Sequence, residues 1–132
     1  MLVNRSMPSS TVIPMLSYPD VREAADWLCR TFGFTVRLRI ADHRIQLNVG
    51  DGAIVIASGV AGSAALMVRV ENADRHHEHA RQQGAVTLAP PTSYPYGERQ
   101  YTATDLAGYR WTFSQSIADV DPVDWGGTPE QL

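Results

Sequence analysis

A chain of 132 residues with 44% apolar content can bury one hydrophobic core and leaves little length for a second, so a single site is sought. Its 11 Lys plus Arg stand against 14 Asp plus Glu for a formal charge of -3, and the basic residues are scattered, so nucleic acid is not an expected partner. Cys29 is the single cysteine, which excludes an internal disulfide and points to a reducing compartment.

No segment approaches the roughly 20 apolar residues of a membrane span, and MLVNRSMPSS lacks the apolar stretch of a signal peptide. A cytoplasmic protein without a membrane partner is therefore expected. Residues 1–10 are polar and unpatterned and read as a flexible arm. Thr11 to Tyr18 reads as a strand, with Pro14 marking an edge or a bulge because proline cannot donate to the ladder. Asp20 is a candidate helix N-cap, and Val21, Ala24, Ala25, Leu28, Cys29 and Phe32 draw one apolar stripe along the helix that follows, closed by Gly33. Three extended runs come next, TVRLRIA, RIQLNV and AIVIAS, the last two separated by Gly50-Asp51-Gly52, a hairpin signal.

The second half repeats this order. AALMVRVE reads as a strand, Asn72 as an N-cap, ADRHHEHARQQ as a helix ended by Gly84, then VTLA, a proline-rich loop PPTSYPYGE, the strand RQYTATD, a turn through Leu106-Ala107-Gly108 and the strand YRWTFSQS. Each half is β-α-β-β-β, although few residues coincide between them. The fold class is thus α+β, with one domain over 11–117 made of module one (11–58) and module two (64–117). Residues 118–132 form an acidic tail, either disordered or docked through Trp125 on its own domain or a neighbouring subunit.

The helix ending CRTFGF followed by three strands, together with YPYGERQYTATDLAGYRWTFSQS, resembles the glyoxalase, bleomycin-resistance and extradiol dioxygenase superfamily, also called vicinal oxygen chelate proteins. The turn from Asp105 to Gly108 into an aromatic strand is the most specific part. The resemblance implies two tandem βαβββ modules whose curled mixed sheet forms a half-barrel cleft with helices outside, and a homodimer. Metal-dependent members carry a His, Glu or Gln on the first and last strands of each module.

Counted from the capping residues Asp20 and Asn72 and from Gly108, three of those positions fall on Ile13, Ala65 and Thr112, and AIVIAS offers no ionic or imidazole group for the fourth. A divalent ion needs carboxylate or imidazole donors, so no metal and no other cofactor are expected. His76 and His79 share a helix face without a carboxylate partner; one of the His76, His77 and His79 cluster is expected to half-bury and the others to be solvated. Cys29 on the apolar stripe reads as an inert thiol. No catalytic set is assigned.

Alternation turns Ile13, Met15, Ser17, Ala65, Met67, Arg69, Arg110, Thr112 and Ser114 toward the implied cleft, and Leu16, Leu66, Val68, Val70, Trp111 and Phe113 toward the helices. The ligand-binding candidates are Met15, Ser17, Met67, Arg69, Arg110 and Thr112, joined by Tyr96, Glu98, Arg99 and Tyr101 from the loop and strand that border the cleft in the family. Arg69 suits an anionic or carbonyl group, or else it pairs with Glu71 or solvent. The leading expectation is metal-free binding of a small organic ligand. The alternative is a lyase or isomerase using unrecognised metal ligands, or Glu98 or a tyrosine as an acid/base.

Overall fold

A computed structural model describes residues 2–132; Met1, the first residue of the expected arm, lies outside the described residues. The chain forms two compact units, residues 1–64 with 105–109, and residues 65–104 with 110–132.

The first unit contains β1 (Met15–Tyr18), α1 (Val21–Phe32), β2 (Thr35–Ile40), β3 (Arg44–Val49) and β4 (Gly52–Ser58), with strand order β1-β4-β3-β2. The strand expected from Thr11 begins only at Met15, because Pro14 lacks an N–H; its carbonyl still accepts from Val55 at 2.9 Å. β1 runs parallel to β4, a pairing that requires the intervening helix as a crossover. Asp20 caps α1 by accepting from the Glu23 N–H at 3.0 Å, and Gly33 ends it in the left-handed region at φ 82°. Val21, Ala24, Ala25, Leu28 and Phe32 of the predicted stripe are buried. Cys29, at its edge, is half-buried, and burial pushes its thiol pKa up, which lowers the thiolate fraction available for nucleophilic chemistry. Near the start of the chain, the Arg37 guanidinium donates to the Arg5 carbonyl and the Gln46 amide to the Ser6 carbonyl.

Residues 105–109 complete this unit. The Tyr18 hydroxyl donates to Asp105 Oδ2 at 2.5 Å, while Oδ1 accepts from the N–H groups of Ala107 (2.9 Å) and Tyr109 (3.1 Å). Tyr109 in turn donates its hydroxyl to the Ser17 carbonyl at 2.9 Å and accepts from the Gly62 N–H at 2.9 Å. Tyr18, Asp105 and Tyr109 are all buried, and their polar atoms find partners there as burial demands.

The second unit contains β5 (Ala65–Arg69), α2 (Ala73–Gln82), β6 (Val86–Ser93), β7 (Glu98–Thr104), β8 (Arg110–Ser116) and a short 3₁₀ turn, Pro122–Trp125. Its order, β5-β8-β7-β6, repeats that of the first unit. Two tandem βαβββ modules of an α+β fold are therefore present, each with a four-stranded mixed sheet. The residues read as a proline-rich loop are largely strand: β6 continues through Pro90 and Pro91 to Ser93. It can do so because it is an edge strand, where missing donors face no neighbour, and its register with β7 slips between Thr87 and Ala89 and again before Thr92.

Trp111 and Phe113 are fully buried, as the alternation of β8 predicts, with Tyr101 stacked on Phe113 at 5.2 Å between ring centres. His76 lies over Phe113 at 4.2 Å and shares a hydrogen bond with the Tyr101 hydroxyl. His77 bonds Thr87 at 2.8 Å. Two of the clustered histidines thus half-bury where one was expected, because both ring faces find partners on the sheet, and only His79 is exposed. No helix of the described residues is long and apolar enough to cross a membrane.

The buried tyrosines set an alkaline limit on stability. Burial, then the bond to Asp105, holds the Tyr18 phenol far above its ordinary value of 10.0, and burial alone raises Tyr101. Above pH 10 the unfolded chain releases both protons and the folded chain keeps them, so fewer protons are bound unfolded and stability falls as pH rises. The expected slope is about 1.4 kcal/mol per pH unit per tyrosine. Urea midpoints measured from pH 9 to 11.5 check this, and Tyr18→Phe should reduce the slope by about 1.4 kcal/mol per pH unit.

Candidate functional site

A cavity of about 350 Å³ opens on the second sheet, lined by Met67 and Arg69 of β5, Glu98 and Gln100 of β7 and Ser114 of β8. The register explains why these five meet: Arg69 pairs with Ser114, Ser114 with Gln100, and period-two alternation puts Met67 and Glu98 on the same face. Met67 is 67% exposed, an open thioether surface rather than core.

Glu98 is the organising group. Ser114 donates its hydroxyl to Glu98 Oε1 at 2.6 Å, Gln100 Nε2 donates to Ser114 Oγ at 3.0 Å, and the Tyr96 hydroxyl donates to Gln100 Oε1 at 3.1 Å. The order of donors is fixed by chemistry: an ionised carboxylate only accepts, so Ser114 gives its one proton to Glu98 and needs the amide nitrogen of Gln100 behind it. Hydrogen bonds from Ser114 and then Ser116, together with the Arg69 charge, hold the Glu98 pKa below the usual carboxylate range. Tyr96 stays a phenol, its pKa raised by burial and by Tyr94 and Glu98. Arg69 forms no ion pair among the described residues, with Glu71 or any other carboxylate, so its guanidinium is available to a ligand.

Glu98 also borders a second cavity of about 580 Å³, lined by Tyr96, Ser116, Val120, Trp125 and other residues of the tail. The tail is bound to its own unit. The Gly97 carbonyl accepts from the N–H groups of Ile117 (2.8 Å) and Ala118 (3.2 Å), and Trp125 stands edge-on to Tyr96 at 5.7 Å.

Of the ten candidate site residues, the second unit brings Met67, Arg69 and Glu98 into one cavity and Tyr96 into the adjoining one. Thr112 shares a hydrogen bond of 2.8 Å with Thr102, and Arg110 is exposed at the start of β8. Met15 and Ser17 belong to the first unit, Met15 60% exposed and Ser17 tied through its backbone to Tyr109. Two candidates lie on the other side of the sheet. Arg99 and Tyr101 project from the opposite face of β7 to Glu98: Arg99 makes a two-pronged pair with Asp74 of α2, both contacts at 3.0 Å, and Tyr101 is core. Gln100, in the first cavity, and Ser116, in the second, are not among the sequence candidates, although alternation puts them on the same sheet face as Glu98.

The family's metal positions do not fit a divalent ion here. Thr112 offers one hydroxyl, already paired with Thr102, and Ala65 and Ile13 offer no donor. Among the described residues no group of three His, Cys, Asp or Glu is placed to share an ion. In the cavity Glu98 is the single carboxylate and stands near the cation of Arg69, whose charge opposes that of a metal.

The sequence pattern of the glyoxalase/bleomycin resistance protein/dioxygenase superfamily matches residues 12–113, most of the chain. The chain belongs to this superfamily. Among solved structures, TioX from Micromonospora sp. ML1 is similar at 29% identity and a TM-score of 0.75, covering 83% of this chain and all of that one. A glyoxalase-related enzyme from Fulvimarina pelagi shares 20% identity at a TM-score of 0.66, covering 81% of this chain and 88% of that one, and a superfamily protein from Nocardioides shares 19% at 0.63, covering 96% and 93%. The last two establish the fold alone. No curated protein matches the chain.

Proposed function

We propose that this superfamily member binds a small organic molecule in the cavity of Met67, Arg69, Glu98, Gln100 and Ser114 without a resident metal, as a cytoplasmic homodimer. The observation that carries this reading is an open Arg69, in no ion pair among the described residues, set beside the exposed Met67 thioether and a carboxylate already held by two hydroxyls. Arg69 would meet an anionic or carbonyl group and Met67 the apolar body. A proton-moving role for Glu98 gains no support from a lowered pKa, and Tyr101 is turned into the core.

The test uses the full chain purified without chelator. Elemental analysis should find well under one divalent ion per chain, and 9-anthracenecarboxylate should bind, with Arg69→Ala weakening it about tenfold by removing a charge-assisted hydrogen bond. A stoichiometric ion that disappears in Thr112→Ala or Glu98→Gln would overturn the proposal, as would carboxylate binding indifferent to Arg69. Light scattering coupled to size-exclusion chromatography reads the dimer.

A further inference from the structure

The cavity between the tail and the second sheet has a chemistry of its own. Tyr96 and Trp125 present two aromatic surfaces in tilted, edge-on arrangement, and each is held: Tyr96 by its bond to Gln100 and by stacking on Tyr94 at 5.3 Å, Trp125 by donating Nε1–H to the Val120 carbonyl at 3.3 Å. Glu98, its carboxylate fixed by Ser114, lines the same cavity. Asp119 also lines the cavity, and the sequence after Arg110 contains four carboxylates (Asp119, Asp121, Asp124, Glu130) and no basic residue. An electron-rich ring pair beside an immobilised carboxylate, with a wall of one charge sign, is complementary to positive charge spread over a flat body.

We infer that the Tyr96–Glu98–Trp125 cavity is a subsite for an organic cation, a protonated amine or guanidinium carried on a flat apolar frame. This rests on the proposed small-molecule binding and sharpens it, because Glu98 is shared by both cavities. A molecule spanning them would present its anionic or carbonyl end to Arg69 and its cationic end to the tail cavity. The C-terminal segment is then part of the binding site, and the sheet face without it holds only half of the recognition surface.

Two probes of similar shape and opposite charge separate the inference from the reading beneath it. In titrations of the full chain followed by probe fluorescence, 9-aminoacridine should bind, Glu98→Gln should weaken it at least tenfold while keeping an acceptor for Ser114, and Trp125→Ala should weaken it severalfold. Trp125→Ala, which lies outside the Arg69 cavity, should not weaken 9-anthracenecarboxylate. Trp125 is 41% exposed, so its removal leaves the core intact, and the thermal midpoint of each variant confirms folding. Binding of 9-aminoacridine that is absent, or equal in wild type and both variants, overturns the cation subsite. If the anthracene carboxylate still binds through Arg69, the proposed function survives that failure; if neither probe binds, both fall.

Discussion

Asp105→Ala is expected to lower unfolding free energy by roughly 3–9 kcal/mol, at about 1–3 kcal/mol for each buried donor left without an acceptor. Three donors depend on this side chain: the Tyr18 hydroxyl and the N–H groups of Ala107 and Tyr109. All three lie in the compact unit of module one, where water cannot replace the lost oxygen because Asp105 is only 6% exposed. Asp105→Asn should be milder, near 1–2 kcal/mol, since an amide oxygen can still serve the two N–H groups and only the Tyr18 proton loses its acceptor. Urea unfolding of the three proteins at neutral pH measures the difference. Equal midpoints for the alanine and asparagine variants would mean that the two turn N–H bonds contribute nothing.

Gly97→Ala should cost about 2–4 kcal/mol and release the tail. Gly97 has φ +84°, a region unfavourable to residues with a Cβ, and a Cβ built there would stand 2.0 Å from the Ala118 carbonyl oxygen. The contact is with backbone, so no rotamer change relieves it. The chain must move Ala118, which breaks the bonds from Ile117 and Ala118 to the Gly97 carbonyl. Hydrogen exchange should speed up at Ile117 and Ala118, and protease cleavage should appear within 118–132. Trp111, at 0% exposure, should keep its buried emission, so local release is distinguished from global unfolding. Unchanged exchange at both amides would show that the tail is held by other contacts.

Much of the architecture was legible because it follows from local periodicity. The stripe on α1, the caps at Asp20 and Asn72 and the inward turn of Trp111 and Phe113 are consequences of spacing along the chain. β6 was harder to read, because two prolines signal a loop unless the strand is known to be an edge, and edge position is a property of the whole sheet. In the site, Met67 and Arg69 follow from alternation, and Glu98 from the loop that borders the cleft in the family. Arg99 and Tyr101 belong to the loop and strand that border the cleft in the family, but their parity on β7 sends them to the helix side. The donor chain from Tyr96 through Gln100 and Ser114 to Glu98 depends on cross-strand register, which a single sequence does not display.

The turn at 105–109 has a consequence for the order of events in folding. Tyr18 and Asp105 are 87 residues apart in sequence, and Tyr109 reaches Ser17 across 92. A chain emerging from the ribosome can form α1 and pair β2 through β4 early, since those contacts are local, but the hydroxyl of Tyr18 has no acceptor until most of the polypeptide has been made. The N-terminal module therefore waits on a five-residue insertion from the C-terminal half. Its last step is a long-range closure that should limit the rate at which the protein reaches its native state, and until then a partly assembled strand edge is open to other chains.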